Sequence, residues 1–108
     1  HGGIVQGAGE ALGELCAMDP ESGQPLAGSF MDYHMPRADE YPSFVTALNE
    51  VPSPTNPLGV KAGGEGGTTP ALAVLVNGFV DALRPYDVRD IRMPVTPRKI
   101  WELIQAGS

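Results

Sequence analysis

The 108-residue chain has a single cysteine, Cys16. It can therefore close no disulfide of its own, and a multi-cysteine metal or iron–sulfur site within the chain is excluded. Basic residues are also scarce: seven Lys and Arg stand against thirteen Asp and Glu, for a formal charge of −6. The seven cations are scattered and form no stripe able to neutralise a phosphate backbone, which argues against nucleic acid as a partner. No apolar run approaches the roughly eighteen residues of a membrane span, and the N-terminus lacks the basic-then-apolar order of a signal peptide. With its lone cysteine the chain suits a cytoplasmic setting. It also lacks an initiator methionine. It begins His1-Gly2-Gly3, which reads as a piece of something longer.

What the chain does have is glycine and proline, fourteen and eleven residues, clustered between apolar runs in the manner of an ordered, loop-rich fold. Its length sets a ceiling of one small domain with a core of its own. Ile4, Val5, Ala8, Ala11, Leu12, Leu15 and Cys16 recur at helical spacing, which predicts a first helix over 4–16, firm from Gly7, with Cys16 packed on its apolar face. Asp19-Pro20-Glu21-Ser22-Gly23 is a turn signature that should reverse the chain, with Gly23 accommodating a positive φ. Residues 26–35 and 44–51 are expected as short strands, and Pro52 to Pro57 as an extended run. Thr69-Pro70 offers an N-cap followed by a first-turn proline, opening a helix to about Leu83 whose nearly unbroken apolar sequence predicts burial almost all round. Thr96-Pro97 repeats the device before a last helix with Ile100, Trp101, Leu103 and Ile104 on its apolar face.

Between the second strand and second helix lies Gly59-Val60-Lys61-Ala62-Gly63-Gly64-Glu65-Gly66-Gly67-Thr68-Thr69-Pro70. One carboxylate stands between two glycine pairs directly before a helix. The glycines would allow positive φ and close approach of a bound group, the helix start favours an anion, and a carboxylate so displayed suits general-base work. Spacing alone favours a plainer reading, in which the glycines form a tight structural turn and Glu65 is an ordinary solvated or helix-start acid. Known nucleotide-binding loops do not match, because Lys61 precedes the glycines and the third glycine of a dinucleotide fingerprint is missing.

The run from Asn56 to Thr68 resembles the active-site glutamate loop of the molybdenum-binding large subunit in the xanthine dehydrogenase, aldehyde oxidase and carbon monoxide dehydrogenase family. Three further segments are similar to that family in the same order: His1 to Leu12 to its glycine-rich helix start, Gly28 to Pro36 to the strand that follows, and Asp90 to Pro97 to its closing segment. The loop glycines look closer to the branch named for carbon monoxide dehydrogenase than to the purine-oxidising one. The resemblance implies an α+β fold, in which residues 1–108 form the C-terminal portion of a molybdopterin-binding domain with short strands and three helices around the glycine-rich loop. It implies Glu65 as catalytic base, Gly64 and Glu65 against the cofactor, and a molybdenum–pterin cofactor, in its plain or cytosine dinucleotide form, held mainly by segments outside this chain. It also implies the remainder of the large subunit and iron–sulfur and flavin domains or subunits as partners, and inactivity of the chain alone.

Two other classes of function stay open on the residues. One is a non-catalytic interaction domain or remnant that assembles with partner chains; the other is a free-standing anion-binding module built on the Thr69-Pro70 helix start. Gln6 could hydrogen-bond a pterin or simply face water. His1 and His34 lack a patterned third ligand for a metal. Lys61, Asp32, Asp39 and Glu40 read as surface or turn residues.

Overall fold

Gly3 and Gly7 leave bare backbone along one side of the first helix, and the second helix lies against that side. The computed structural model describes residues 1–107, with α1 over Gly2–Leu12, α2 over Thr68–Ala82 and α3 over Pro97–Ala106, and a 3₁₀ turn at Arg84–Tyr86. A methyl group on Gly3 would lie 3.0 Å from Cα of Gly67, and one on Gly7 would lie 2.6 Å from the Thr68 carbonyl oxygen and 2.8 Å from Cβ of Ala71. These contacts advance along both helices together. The helices therefore start side by side and run the same way, bringing two positive dipole ends to one place. Further along, Leu12 joins Val76, Phe79 and Val80 around the buried Leu83, Ile91 and Val95, and α3 closes this cluster with Ile100, Leu103 and Ile104. A backbone bond from Val95 N–H to Ala11 O, 2.6 Å, ties the segment before α3 to α1.

Local signals hold where the chemistry is local. Gly23 has φ +70, Asp19 accepts from the Glu21 and Ser22 amides, and the chain reverses through the Met18–Pro25 bridge. Thr96 caps α3 by accepting from Lys99 N–H at 3.3 Å. Several expectations are corrected. The first helix ends at Leu12, before Gly13, so Cys16 lies beyond it and is exposed. The second helix begins at Thr68 with Gly67 in the cap position, and Thr69 does not cap it. Its far side is open: Val74 is 66% exposed. Trp101 lies outside the core at 61% exposure.

Residues 26–35 and 44–51 carry no strand, and among the described residues the Met18–Pro25 bridge is the sole β-type pairing. A strand needs a neighbour for its backbone groups and something apolar for one face to cover. Here Phe30, Met31, Val45 and Leu48 project away from the rest of the chain, exposed. The core is limited to the cluster around Leu83, Ile91 and Val95. The radius of gyration is 17.7 Å, against about 13 Å for a compact domain of this length. The chain does not enclose its own apolar surface. No helix among the described residues is long and apolar enough to cross a membrane.

The 26–41 segment returns to α1 through Tyr33, whose hydroxyl donates to Glu14 Oε2 at 2.5 Å. That hydrogen bond, with burial and the nearby Glu14 charge adding to it, pushes the Tyr33 phenol up to about 12. A phenol whose folded pKa lies above its unfolded value adds stability that is complete below about pH 10 and lost as pH rises through about 12. Alkaline titration in that window should release the segment from α1. Tyr33→Phe should remove the step, as read by tyrosinate absorbance together with protease sensitivity of the segment. An unchanged step in Tyr33→Phe would assign it elsewhere, with Tyr41, also raised by burial, as the first alternative.

Candidate functional site

The glycine loop enters α2 from a locked turn. Asn56 uses both ends of its side-chain amide on Val60, donating to its carbonyl at 2.8 Å and accepting from its N–H at 3.1 Å. Gly59 sits at φ +66, and its carbonyl accepts from Ser53 N–H. From this anchor the chain runs through exposed Lys61 and Ala62 to Gly63.

Glu65 is fixed through its backbone and displayed through its side chain. Its carbonyl accepts from Thr68 N–H at 3.1 Å and Thr69 N–H at 3.0 Å, which satisfies the first donors of α2. The side chain is exposed. One carboxylate oxygen accepts from Gln6 Nε2 at 3.5 Å, and Gln6 Oε1 accepts from the Thr68 hydroxyl at 3.2 Å. Thr68 is buried, 4% exposed.

The glycines beside Glu65 divide into two kinds. A methyl on Gly63, Gly64 or Gly66 would meet nothing within 4 Å, whereas Gly67 lies against Gly3. None of the four has positive φ; among the described glycines only Gly23 and Gly59 do. The left-handed backbone that the two pairs would allow is thus not used. Gly67 is needed for close helix packing, and Gly63, Gly64 and Gly66 leave clear space around a carboxylate. Glu65's own carbonyl occupies the Thr68 and Thr69 amides, so these two donors are not offered to an anion.

The pairing of Gln6 and Thr68 with Glu65 joins residues about sixty positions apart in the chain, and no spacing rule links them. The local hint was Gln6, a polar side chain among glycines at a helix start.

Other candidates lie elsewhere. His1 meets Phe44 edge-on, with ring centroids 5.9 Å apart. His34 Nε2 lies 3.5 Å from Glu40 Oε2, beside a hollow of about 420 Å³ that Leu12, Gly13, Tyr41 and Thr96 also line, at the opposite end of α1 from Glu65. Glu40 accepts from the Arg37 backbone N–H, and this bond is the main reason its carboxyl lies below the usual range, with the Arg37 side chain and His34 adding to the effect. Asp32 accepts from Ser29 Oγ. No group of three or more His, Cys, Asp or Glu residues able to hold a metal ion occurs among the described residues.

Residues 1–42 match the family model described as a molybdopterin cofactor-binding domain. The chain is 42% identical over 107 residues to the 6-hydroxypseudooxynicotine dehydrogenase complex subunit gamma of Paenarthrobacter nicotinovorans, covering 96% of this chain and 13% of that protein. Among solved structures, it superposes on quinoline 2-oxidoreductase from Pseudomonas putida 86 with a TM-score of 0.86 and 36% identity, covering 96% of this chain and 13% of the other. It superposes on a Cu,Mo-CO dehydrogenase in its carbon monoxide reduced state with a TM-score of 0.90 and 31% identity, covering 99% and 13%. The chain thus spans about an eighth of the length of the relatives it matches.

Proposed function

This chain belongs to the molybdenum hydroxylase family that includes xanthine dehydrogenase and carbon monoxide dehydrogenase, as a segment of the molybdenum-cofactor-binding large subunit, and on that premise we propose that it contributes the general base, Glu65, to the active site of such an oxidoreductase. The observation that carries this reading is the arrangement at the start of α2: a carboxylate whose backbone is fixed by helix hydrogen bonds and whose side chain faces space kept clear by Gly63, Gly64 and Gly66.

These features suit a large anionic cofactor. The clear space admits it beside Gly64 without a side chain to displace, and the two helix starts brought together by Gly3 and Gly67 favour negative charge nearby. When bound, the molybdenum–pterin cofactor, in its plain or cytosine dinucleotide form, supplies the redox chemistry, and the protein supplies binding, orientation and proton transfer. Glu65 accepts the proton released as oxygen is delivered to the substrate carbon.

The rest of the subunit holds the metal and pterin. It also covers the open side of α2 and supplies strand neighbours to 26–35 and 44–51, so that the α+β character belongs to the assembled subunit. Iron–sulfur and flavin centres reside on other domains or subunits in a cytoplasmic complex. Alone, the chain is inactive.

Metal analysis of the chain purified from its native host tests this reading. Molybdenum should accompany the chain only together with a large partner or within a longer polypeptide. A metal-free chain recovered without any such partner would favour the alternative, a non-catalytic interaction domain or remnant.

A further inference from the structure

We propose that Gln6 is a positioning residue for Glu65, holding one carboxylate oxygen so that the other faces the cleared side of the glycine loop. The inference rests on the reading of Glu65 as the base.

Three residues, from α1, α2 and the loop before α2, form a closed circuit. The Glu65 carbonyl accepts from Thr68 N–H, the Thr68 hydroxyl donates to Gln6 Oε1, and Gln6 Nε2 donates to Glu65 Oε1. The Glu65 carboxylate decides the sense of the Gln6 amide, because it can only accept and so takes the NH2 end. The Thr68 hydroxyl, on the buried first residue of α2, can donate or accept, and here it donates to the Gln6 carbonyl oxygen. A reversed amide would set its oxygen against Glu65 and lose the bond to the carboxylate.

The α1–α2 packing at Gly3 and Gly7 fixes the distance across which this circuit closes. The link to the carboxylate, 3.5 Å, is the longest of the three. Catalytic hydrogen bonds are commonly long before substrate is present and shorten in the complex. Gln6 itself is exposed, so its replacement removes little packing.

The test compares Gln6→Leu, Gln6→Glu and Glu65→Gln in the assembled, molybdenum-loaded enzyme. Gln6→Leu should lower kcat about ten-fold with KM changed less than about two-fold, because a misplaced base slows the proton transfer without weakening substrate binding. Its molybdenum content should equal that of the unaltered enzyme. Gln6→Glu places a second carboxylate beside the first, and two adjacent carboxylates resist being ionised together. The acid limb of its kcat profile should move up by about one pH unit. Isotope-edited infrared titration of the Glu65 carboxylate band in metal-free Gln6→Glu enzyme should show the same upward move.

Unchanged kcat in Gln6→Leu and an unmoved limb in Gln6→Glu, with Glu65→Gln inactive, would overturn the positioning role and leave the base intact. So would a fall in molybdenum content in Gln6→Leu, which would assign Gln6 to holding the cofactor. An active Glu65→Gln enzyme would overturn the base reading, and this inference with it.

Discussion

Glu65→Gln in the assembled enzyme is expected to lower kcat by about 10²–10⁴-fold, the usual contribution of a general base, with molybdenum content and thermal stability unchanged. The replacement is nearly isosteric and deletes only the capacity to take a proton. It leaves the structural task of residue 65 untouched, because the Glu65 backbone carbonyl, and not its side chain, receives the Thr68 and Thr69 amides at the start of α2. An amide oxygen at this position can still accept from Gln6. The side chain is exposed, so no buried charge is lost or left unpaired. Turnover and stability should therefore separate cleanly. A variant with full turnover would return Glu65 to the plainer reading of a solvated acid before a helix.

The second large effect is structural and concerns Gly7. Any side chain there meets the Thr68 carbonyl oxygen and Cβ of Ala71 at distances well inside van der Waals contact, 2.6 and 2.8 Å. Neither can swing aside, because one is helix backbone and the other is attached directly to it. Gly7→Val must therefore push α1 and α2 apart, at a cost of about 1–3 kcal/mol by the usual penalty for overpacking.

The displacement falls on Thr68, so the Gly7→Val enzyme should lose activity as well as heat resistance. Gly7→Ala, which adds only the methyl, should lower the thermal inactivation midpoint less than Gly7→Val does. An unchanged midpoint in Gly7→Val would contradict the α1–α2 contact as the reason residue 7 must be glycine.

What could be read from the sequence follows the reach of the interactions involved. The Asp19–Gly23 turn and the Thr96 cap depend on partners within a few residues, and both form as expected. The boundary of α1 was displaced because Leu15 and Cys16 extend its apolar period past Gly13, where the helix stops. The strands at 26–35 and 44–51 were legible as apolar, proline-bounded segments. Strand formation requires a pairing edge, and no such edge is available to them among the described residues. The uninterrupted apolar run Ala71 to Val76 predicts burial nearly all round, while Val74 is largely exposed. Hydrophobicity records what a helix can cover, and the covering partner belongs to the proposed larger subunit. The proposal of Glu65 as base rests on its glycine setting and the family resemblance. Its contact with Gln6 and Thr68 depends on two helices meeting across about sixty residues of chain, through Gly3, Gly7 and Gly67, and periodicity within either helix carries no trace of that.

The structure of the assembled, molybdenum-loaded enzyme, determined with this segment in place, tests the central claim most directly. The account predicts the Glu65 carboxylate within hydrogen-bond reach of the groups on the metal, directly or through one water, with Gly64 beside the cofactor and the open side of α2 covered by the rest of the subunit. A Glu65 side chain facing solvent, far from the metal, would contradict it.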